Sequence, residues 1–263
     1  MLAESAFRTG YLYLPLLGFI IAVLATMSGG GGGFLFVPVL VLFYSVPTHT
    51  AIATSLAVTI PVGLVASIEQ YRTGNINIRS GLTCCLAGVA GALSGAFISA
   101  LISPDSLKRV FGVYAIVLAA IMVFTGTGTK DHLSENETRE RNALQRIIEG
   151  FCGLVSGMIA GIFGTSGAAP VIAGLYITKS PVRIIIGTST LVVLTNSVSG
   201  LAGHLAVGRI DIMITILLGT GAAFGAFFGP FLLRKINLKK MDKVFRLILI
   251  LLVLIVGIIM TIK

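Results

Sequence analysis

Charge is what this chain has least of. Only 11% of its 263 residues are Asp, Glu, Lys or Arg, against about 25% in an ordinary soluble domain, while 56% are hydrophobic and the mean hydropathy is +1.01. That shortage excludes a soluble globular body, and with it a soluble catalytic or nucleic-acid-binding module. Only residues 127–146, TGTKDHLSENETRERNALQR, have the charge density of a solvated loop, and such a segment is too short to fold as a domain. The net charge of +9 sits mostly in short connectors between apolar runs, where it reads as membrane topology rather than as a footprint for a polyanion. Cysteine is scarce too. Cys84, Cys85 and Cys152 fall in or beside apolar runs without the spacing of a disulfide framework or a metal site, so neither metal nor cofactor is expected. Glu69, Glu149 and Asp211 stand at the ends of apolar runs near basic residues and read as solvated interfacial charge. No buried carboxylate pair offers a proton relay.

What remains is apolar sequence. Runs cover residues 11–27, 34–46, 51–68, 81–102, 107–124, 147–163, 168–177, 184–205, 210–233 and 244–262, which makes the chain an all-α polytopic membrane protein. The first run is not read as a cleaved signal, because it leads into glycines that recur in modified form later; cleavage would remove part of a repeated unit.

The repeat is visible at fixed offsets. SVPTHTAIATSLAV (45–58) lies over KSPVRIIIGTSTLV (179–192), so Pro47 meets Pro181 and the pair Thr54, Ser55 meets Thr188, Ser189. The same offset of 134 brings GNINI (74–78) over GRIDI (208–212), and an offset of 132 brings Pro38 over Pro170 and sets Ser166 opposite Phe34. The chain divides into a first repeat (1–126), a linker (127–146) and a second repeat (147–263). Each repeat is a short or re-entrant helical hairpin with a glycine-rich break, followed by three transmembrane helices. If the first two segments of each unit form a hairpin that enters and leaves on one face, one side of the membrane holds Arg8, Lys108, Arg109, Arg209 and Lys263. The other side then holds the remaining fourteen of the 19 basic residues. That bias favours inverted repeats with both termini outside and the linker in the cytoplasm.

The glycines gain a purpose in that arrangement. SGGGGG (28–33) and GIFGTSGAAP (161–170) fall at the two hairpin tips, and non-helical backbone at membrane depth must be buried in protein or line a cavity. Gly30, Gly31, Gly32 and Gly33 leave backbone N–H groups open to a ligand, and Gly164, Thr165, Ser166 and Gly167 add hydroxyls. The helices after Pro47 and Pro181 are expected to begin near the tips, carrying Thr54, Ser55, Thr188 and Ser189 in their early turns. Thr195 and Asn196 follow at mid-membrane, where polar side chains are expensive. Helix N-termini, backbone nests and hydroxyls are donors, so the site suits a small anion held at the repeat interface of a secondary transporter. The glycines at 153, 157 and 161, and at 221, 225 and 229, have the spacing of helix contact instead.

These motifs, with the YRTGNI and HLAVGRID turns, resemble the TauE/SafE family of membrane anion exporters over residues 14–260. The resemblance implies a permease of the inner membrane that exports sulfite, sulfoacetate or a related sulfur-containing anion, with the bilayer and that anion as partners and no nucleic acid. Thr165 and Ser166 depart from the glycine-rich pattern of the second copy. Two other readings stand beside it. A passive anion channel would use the same tips. GTSG (164–167) also matches the G-x-S-G string of rhomboid-type intramembrane serine proteases, with Ser166 as nucleophile and His204 as base, although His204 falls near a span's end and reads as interfacial. With no buried acid in view, voltage alone is expected to drive anion efflux.

Overall fold

The computed structural model describes residues 9–27, 33–124, 142–207, 210–235 and 238–262. After a 3-10 turn at Thr9–Tyr13 they form α1 (Leu14–Met27), α2 (Gly33–Phe43), α3 (Thr48–Arg72), α4 (Ile78–Ala100), α5 (Pro104–Phe124), α6 (Ala143–Phe163), α7 (Ala168–Ile177), α8 (Val182–Val207), α9 (Ile212–Lys235) and α10 (Leu238–Ile262). All regular structure among the described residues is helical. Helices α3, α4, α5, α6 and α8 are long and apolar enough to cross a bilayer.

Helix ends follow local chemistry. Asn77 caps α4 by accepting the Ser80 N–H at 3.1 Å. The Asn142 N–H donates to Gln145 Oε1 at 3.3 Å, which carries α6 one turn upstream of its apolar run. At 21 residues α6 is about 31 Å long, as long as a full span, although the sequence suggested a short arm. By contrast α1, α2 and α7, with 14, 11 and 10 residues, reach only about 21, 16 and 15 Å, short of the roughly 30 Å hydrocarbon core.

Small residues set which helices touch. Gly153, Gly157 and Gly161 bring the α6 backbone against Cys84, Gly88 and Ala92 of α4, and Gly221 and Gly225 bring α9 against Pro15 and Phe19 of α1, the close approach their spacing predicts. Gly229 lies outside the residues whose surroundings are described. In both pairs the numbers rise together, so the helices run parallel. Gly63 meets Leu194 while Gly200 meets Leu56, so α3 and α8 run antiparallel; Gly112 meets Thr261 while Gly257 meets Ile116, so α5 and α10 do as well. Gly167 abuts Ser156 and Gly174 abuts Cys152, which makes α6 and α7 an antiparallel hairpin.

These contacts correct the register of the hairpins. Gly18 sits on the Leu218 carbonyl as Gly153 sits on the Cys84 carbonyl, so α1 matches α6 at an offset of 135 (18 against 153), three residues from the offset of 132 read in the sequence. Extended through the break, this pairs Ser166 with position 31 rather than with Phe34. At the far end of each hairpin Ser45 (φ 52°) and Lys179 (φ 57°) are again 134 apart, because α2 is one residue longer than α7.

The main apolar core joins α1, α2, α3, α5, α6, α9 and α10 around Phe36, Leu40, Leu56, Phe111, Phe163 and Leu218; a smaller one joins α4, α7 and α8 around Cys84, Leu175 and Val192. Large apolar side chains such as Leu86, Phe97, Val113, Phe151 and Phe227 point outward, as a lipid-facing surface requires.

Candidate functional site

The tip of the second hairpin is four residues long. Gly164 ends α6 in the left-handed conformation (φ 67°, ψ 18°) and Gly167 precedes α7 in the same conformation (φ 60°, ψ 15°), where a side chain is strained. Thr165 and Ser166 lie between them, 2% and 5% exposed. The loop is pinned from behind: Asn196 Nδ2 donates to Ser156 Oγ at 2.8 Å, and Ser156 Oγ donates to the Gly167 carbonyl at 2.5 Å.

Gly33, the first residue of α2, stands at the same place. A Cβ on Gly33 would lie 2.7 Å from the Ser166 nitrogen, so the start of α2 and the second tip are in contact. Ser55 closes the junction. Its Oγ lies 2.8 Å from the Gly164 carbonyl and 3.2 Å from the Gly33 carbonyl, one hydroxyl shared between two tips. Ser55 therefore reaches the tips two turns into α3. The helix itself begins beyond the outer end of α2, which corrects the expectation that it starts beside the break.

Facing Thr165, Ser166 and Gly167 is a cavity of 160 Å³ walled by Phe34, Tyr114, Leu118, Met122 and Ile172, with Ala168 and Ala169 at its floor. Those two alanines are the first positions of α7, whose N–H groups no helical carbonyl reaches. Thr165 Oγ1 is buried and lies near Tyr114 without a well-formed hydrogen bond. The wall is thus an apolar box with donors at one end: two backbone N–H groups at the positive end of a helix and the Thr165 and Ser166 hydroxyls. Donors grouped in this way offer hydrogen bonds to an oxygen acceptor. Among the described residues that line the cavity, none is basic or acidic.

The other expected residues divide. Gly30, Gly31 and Gly32 lie outside the described residues. Thr54 is fully buried, with no hydrogen-bond partner for its hydroxyl among the described residues. Thr188 Oγ1 accepts the Asn77 N–H at 3.1 Å, and Ser189 Oγ donates back to the Ile186 carbonyl of its own helix at 2.9 Å. Asn196 touches the tip only through Ser156. Its Oδ1 is buried against Gly88 without a partner among the described residues. Sequence reasoning missed Ser156, Tyr114 and Phe34. Only Ser156 carried a signal, as a polar residue inside the glycine stripe of α6.

Two expectations of solvated side chains are corrected here. His204 lies in the last turn of α8, as the sequence suggested, but it is 3% exposed, with Nε2 2.7 Å from the Gly161 carbonyl. A ring nitrogen held on a carbonyl carries the hydrogen and donates, so Nε2 is engaged by Gly161 rather than by Ser166. Glu149 is not solvated either. It is 2% exposed, and its Oε1 accepts from Ser80 Oγ at 3.0 Å.

Residues 14–260 match the family model described as "Sulfite exporter TauE/SafE". The chain is 26% identical to the "Probable membrane transporter protein YunE" of Bacillus subtilis, over 92% of this chain and 95% of that protein. It is 28% identical to the "Probable membrane transporter protein MJ0441" of Methanocaldococcus jannaschii, over 90% and 91% of the two chains. No solved structure matches.

Proposed function

The chain belongs to the TauE/SafE family of membrane transporters, and from that premise we propose that it exports a small sulfur-containing anion, such as sulfite or sulfoacetate, through a site where its two hairpin tips meet near the membrane midplane. The observation that carries this reading is the junction itself: Gly33 against Ser166, Ser55 bonded to both tips, and Thr165 buried beside the N-terminus of α7. Donors converge there, with no basic side chain among the described residues that line the cavity, which suits an anion that must also leave again.

The helix directions support an inverted repeat. Equivalent helices α3 and α8, and likewise α5 and α10, run in opposite senses, and the packing of α6 on α4 has its counterpart in α1 on α9. Substrate held between inverted halves at broken helices is the common plan of secondary transporters. The placement of both termini outside and residues 127–146 in the cytoplasm of an inner membrane is part of the same proposal, resting on the charge bias.

Flux into liposomes tests it. Purified protein should move at least one of sulfite, sulfoacetate, sulfate and thiosulfate with saturable kinetics and counterflow, and Thr165→Val should weaken apparent affinity about tenfold, the loss of one hydrogen bond to a charged group. Saturable flux of none of the four by folded protein would refute the reading. Linear, non-saturating flux would make the protein a channel.

A further inference from the structure

The donors at the second hairpin tip occupy one end of the cavity, and the rest of its wall is apolar. Helix α5 supplies Tyr114, Leu118 and Met122, spaced by four along one strip of the helix. Phe34 of α2 and Ile172 of α7 complete the wall. The strip is half-buried, whereas Phe111, Ala115 and Ala119 of the same helix are packed into the core at 4% exposure or less. Tyr114 is held from behind. Its ring stacks on Phe163 with centroids 4.8 Å apart and planes 15° apart, and Phe163 meets Phe111 edge-on at 5.8 Å. A wall fixed in this way is ready for an occupant without being rearranged.

Size and lining say what that occupant is. Packed interiors leave few voids larger than a water molecule, yet this one measures 160 Å³. A dry cavity of about 150 Å³ lined by Leu, Ile and Phe admits a molecule the size of benzene, and water enters only where two to four polar partners await it. A bare oxyanion would fill the donor end and leave the apolar part empty. At the donor end, Thr165 Oγ1 is buried without a hydrogen-bond partner among the described residues, so an acceptor is wanted there. Along the wall none of the described lining residues is charged, so a second charge on the ligand would be buried without a counter-ion.

We propose that the apolar part of the cavity is a tail subsite, and that the transported anion is an amphipathic monoanion. Its oxyanion head meets Thr165, Ser166 and the first N–H groups of α7, and its apolar tail, about four carbons long, lies along Tyr114, Leu118 and Ile172. This rests on the anion reading of the hairpin site and narrows it. Sulfite takes the head position alone, and sulfoacetate lays its second charge against an apolar wall.

A series of straight-chain alkanesulfonates tests the subsite, because head and charge stay constant while the tail grows. Equilibrium binding is measured with the full chain in lipid nanodiscs, and binding to empty nanodiscs is subtracted. Affinity should rise about threefold to fourfold per added methylene, and so about thirtyfold from methanesulfonate to butanesulfonate. Propanesulfonate should bind at least about tenfold more tightly than sulfoacetate, which is close to it in size but doubly charged. Leu118→Phe fills part of the cavity and Ile172→Ala strips part of its wall. Each should weaken butanesulfonate by about fivefold or more and leave methanesulfonate within about twofold, a split that general damage to the fold would not produce. Binding of sulfate and methanesulfonate with no gain along the series overturns the tail subsite and leaves the anion reading standing. A gain that persists unchanged in both variants is partition into the bilayer and overturns the subsite too. If no oxyanion binds to folded protein, whatever its tail, the subsite and the anion reading fall together.

Discussion

Ser55 and Ser189 are the same position in two copies of one unit, both fully buried, yet their hydroxyls go to different places. Ser55 ties two separate segments together, through the carbonyl of Gly164 at the end of α6 and that of Gly33 at the start of α2. Ser189 serves the Ile186 carbonyl of its own helix, which an N–H already reaches. Ser55→Ala should therefore lower stability by about 1–3 kcal/mol, while Ser189→Ala should stay within about 0.5 kcal/mol of wild type; thermal unfolding in detergent measures both, and equal losses would contradict the bridging role. The Thr-Ser pairs were legible because the repeat marks them twice. Which way each hydroxyl points was not, since a rotamer is chosen by what packs opposite. The same limit applies to Asn196 and Glu149. A polar residue near a helix end reads as solvated until the neighbouring helix that covers it is known, and α4 covers Glu149 through Ser80 and Cys84.

At the scale of elements, all ten runs of apolar sequence became helices, and the break of the second hairpin was readable from Gly164 and Gly167. The ends were less so. α4 and α6 extend past their apolar runs because Asn77 and Asn142 begin them, a capping signal that hydropathy does not weigh. The hairpin register was misread because Pro38 and Pro170 align by coincidence; Pro38 is the sixth residue of α2 and Pro170 the third of α7. The glycine stripe of α6 gives a direct test of what holds two helices together. Gly157 lies against the backbone of Gly88 and Ala92, whereas Gly150 has only the Thr83 methyl nearby, at 3.9 Å. Gly157→Ala must part α4 from α6 and should cost about 2 kcal/mol or more, while Gly150→Ala should be neutral or stabilise by up to about 1 kcal/mol. Denaturation of the two variants side by side would expose a stripe that does not set the contact.

For the whole molecule, the charge bias makes a claim about sides. In a background without Cys84, Cys85 and Cys152, cysteines introduced at 131–140 should react only from the cytoplasm and one at position 3 only from outside; a cytoplasmic N-terminus together with a cytoplasmic linker would undo the inverted arrangement. The unequal serines then acquire a second meaning. If two halves of one design face opposite ways, exchanging their conformations turns the molecule inside out with no new contacts to invent. In the present conformation Ser55 grips the tips and Ser189 is folded back on its helix. In the mirror conformation Ser189 would let go of Ile186 and grip, while Ser55 would fold back onto the carbonyl of Ile52. The two alanine variants would then push the resting population in opposite directions, and the rate at which an impermeant thiol reagent reaches a cysteine at Thr165 from each side of the membrane would move oppositely in the two. A protein whose halves disagree about one hydroxyl is holding one of two doors shut.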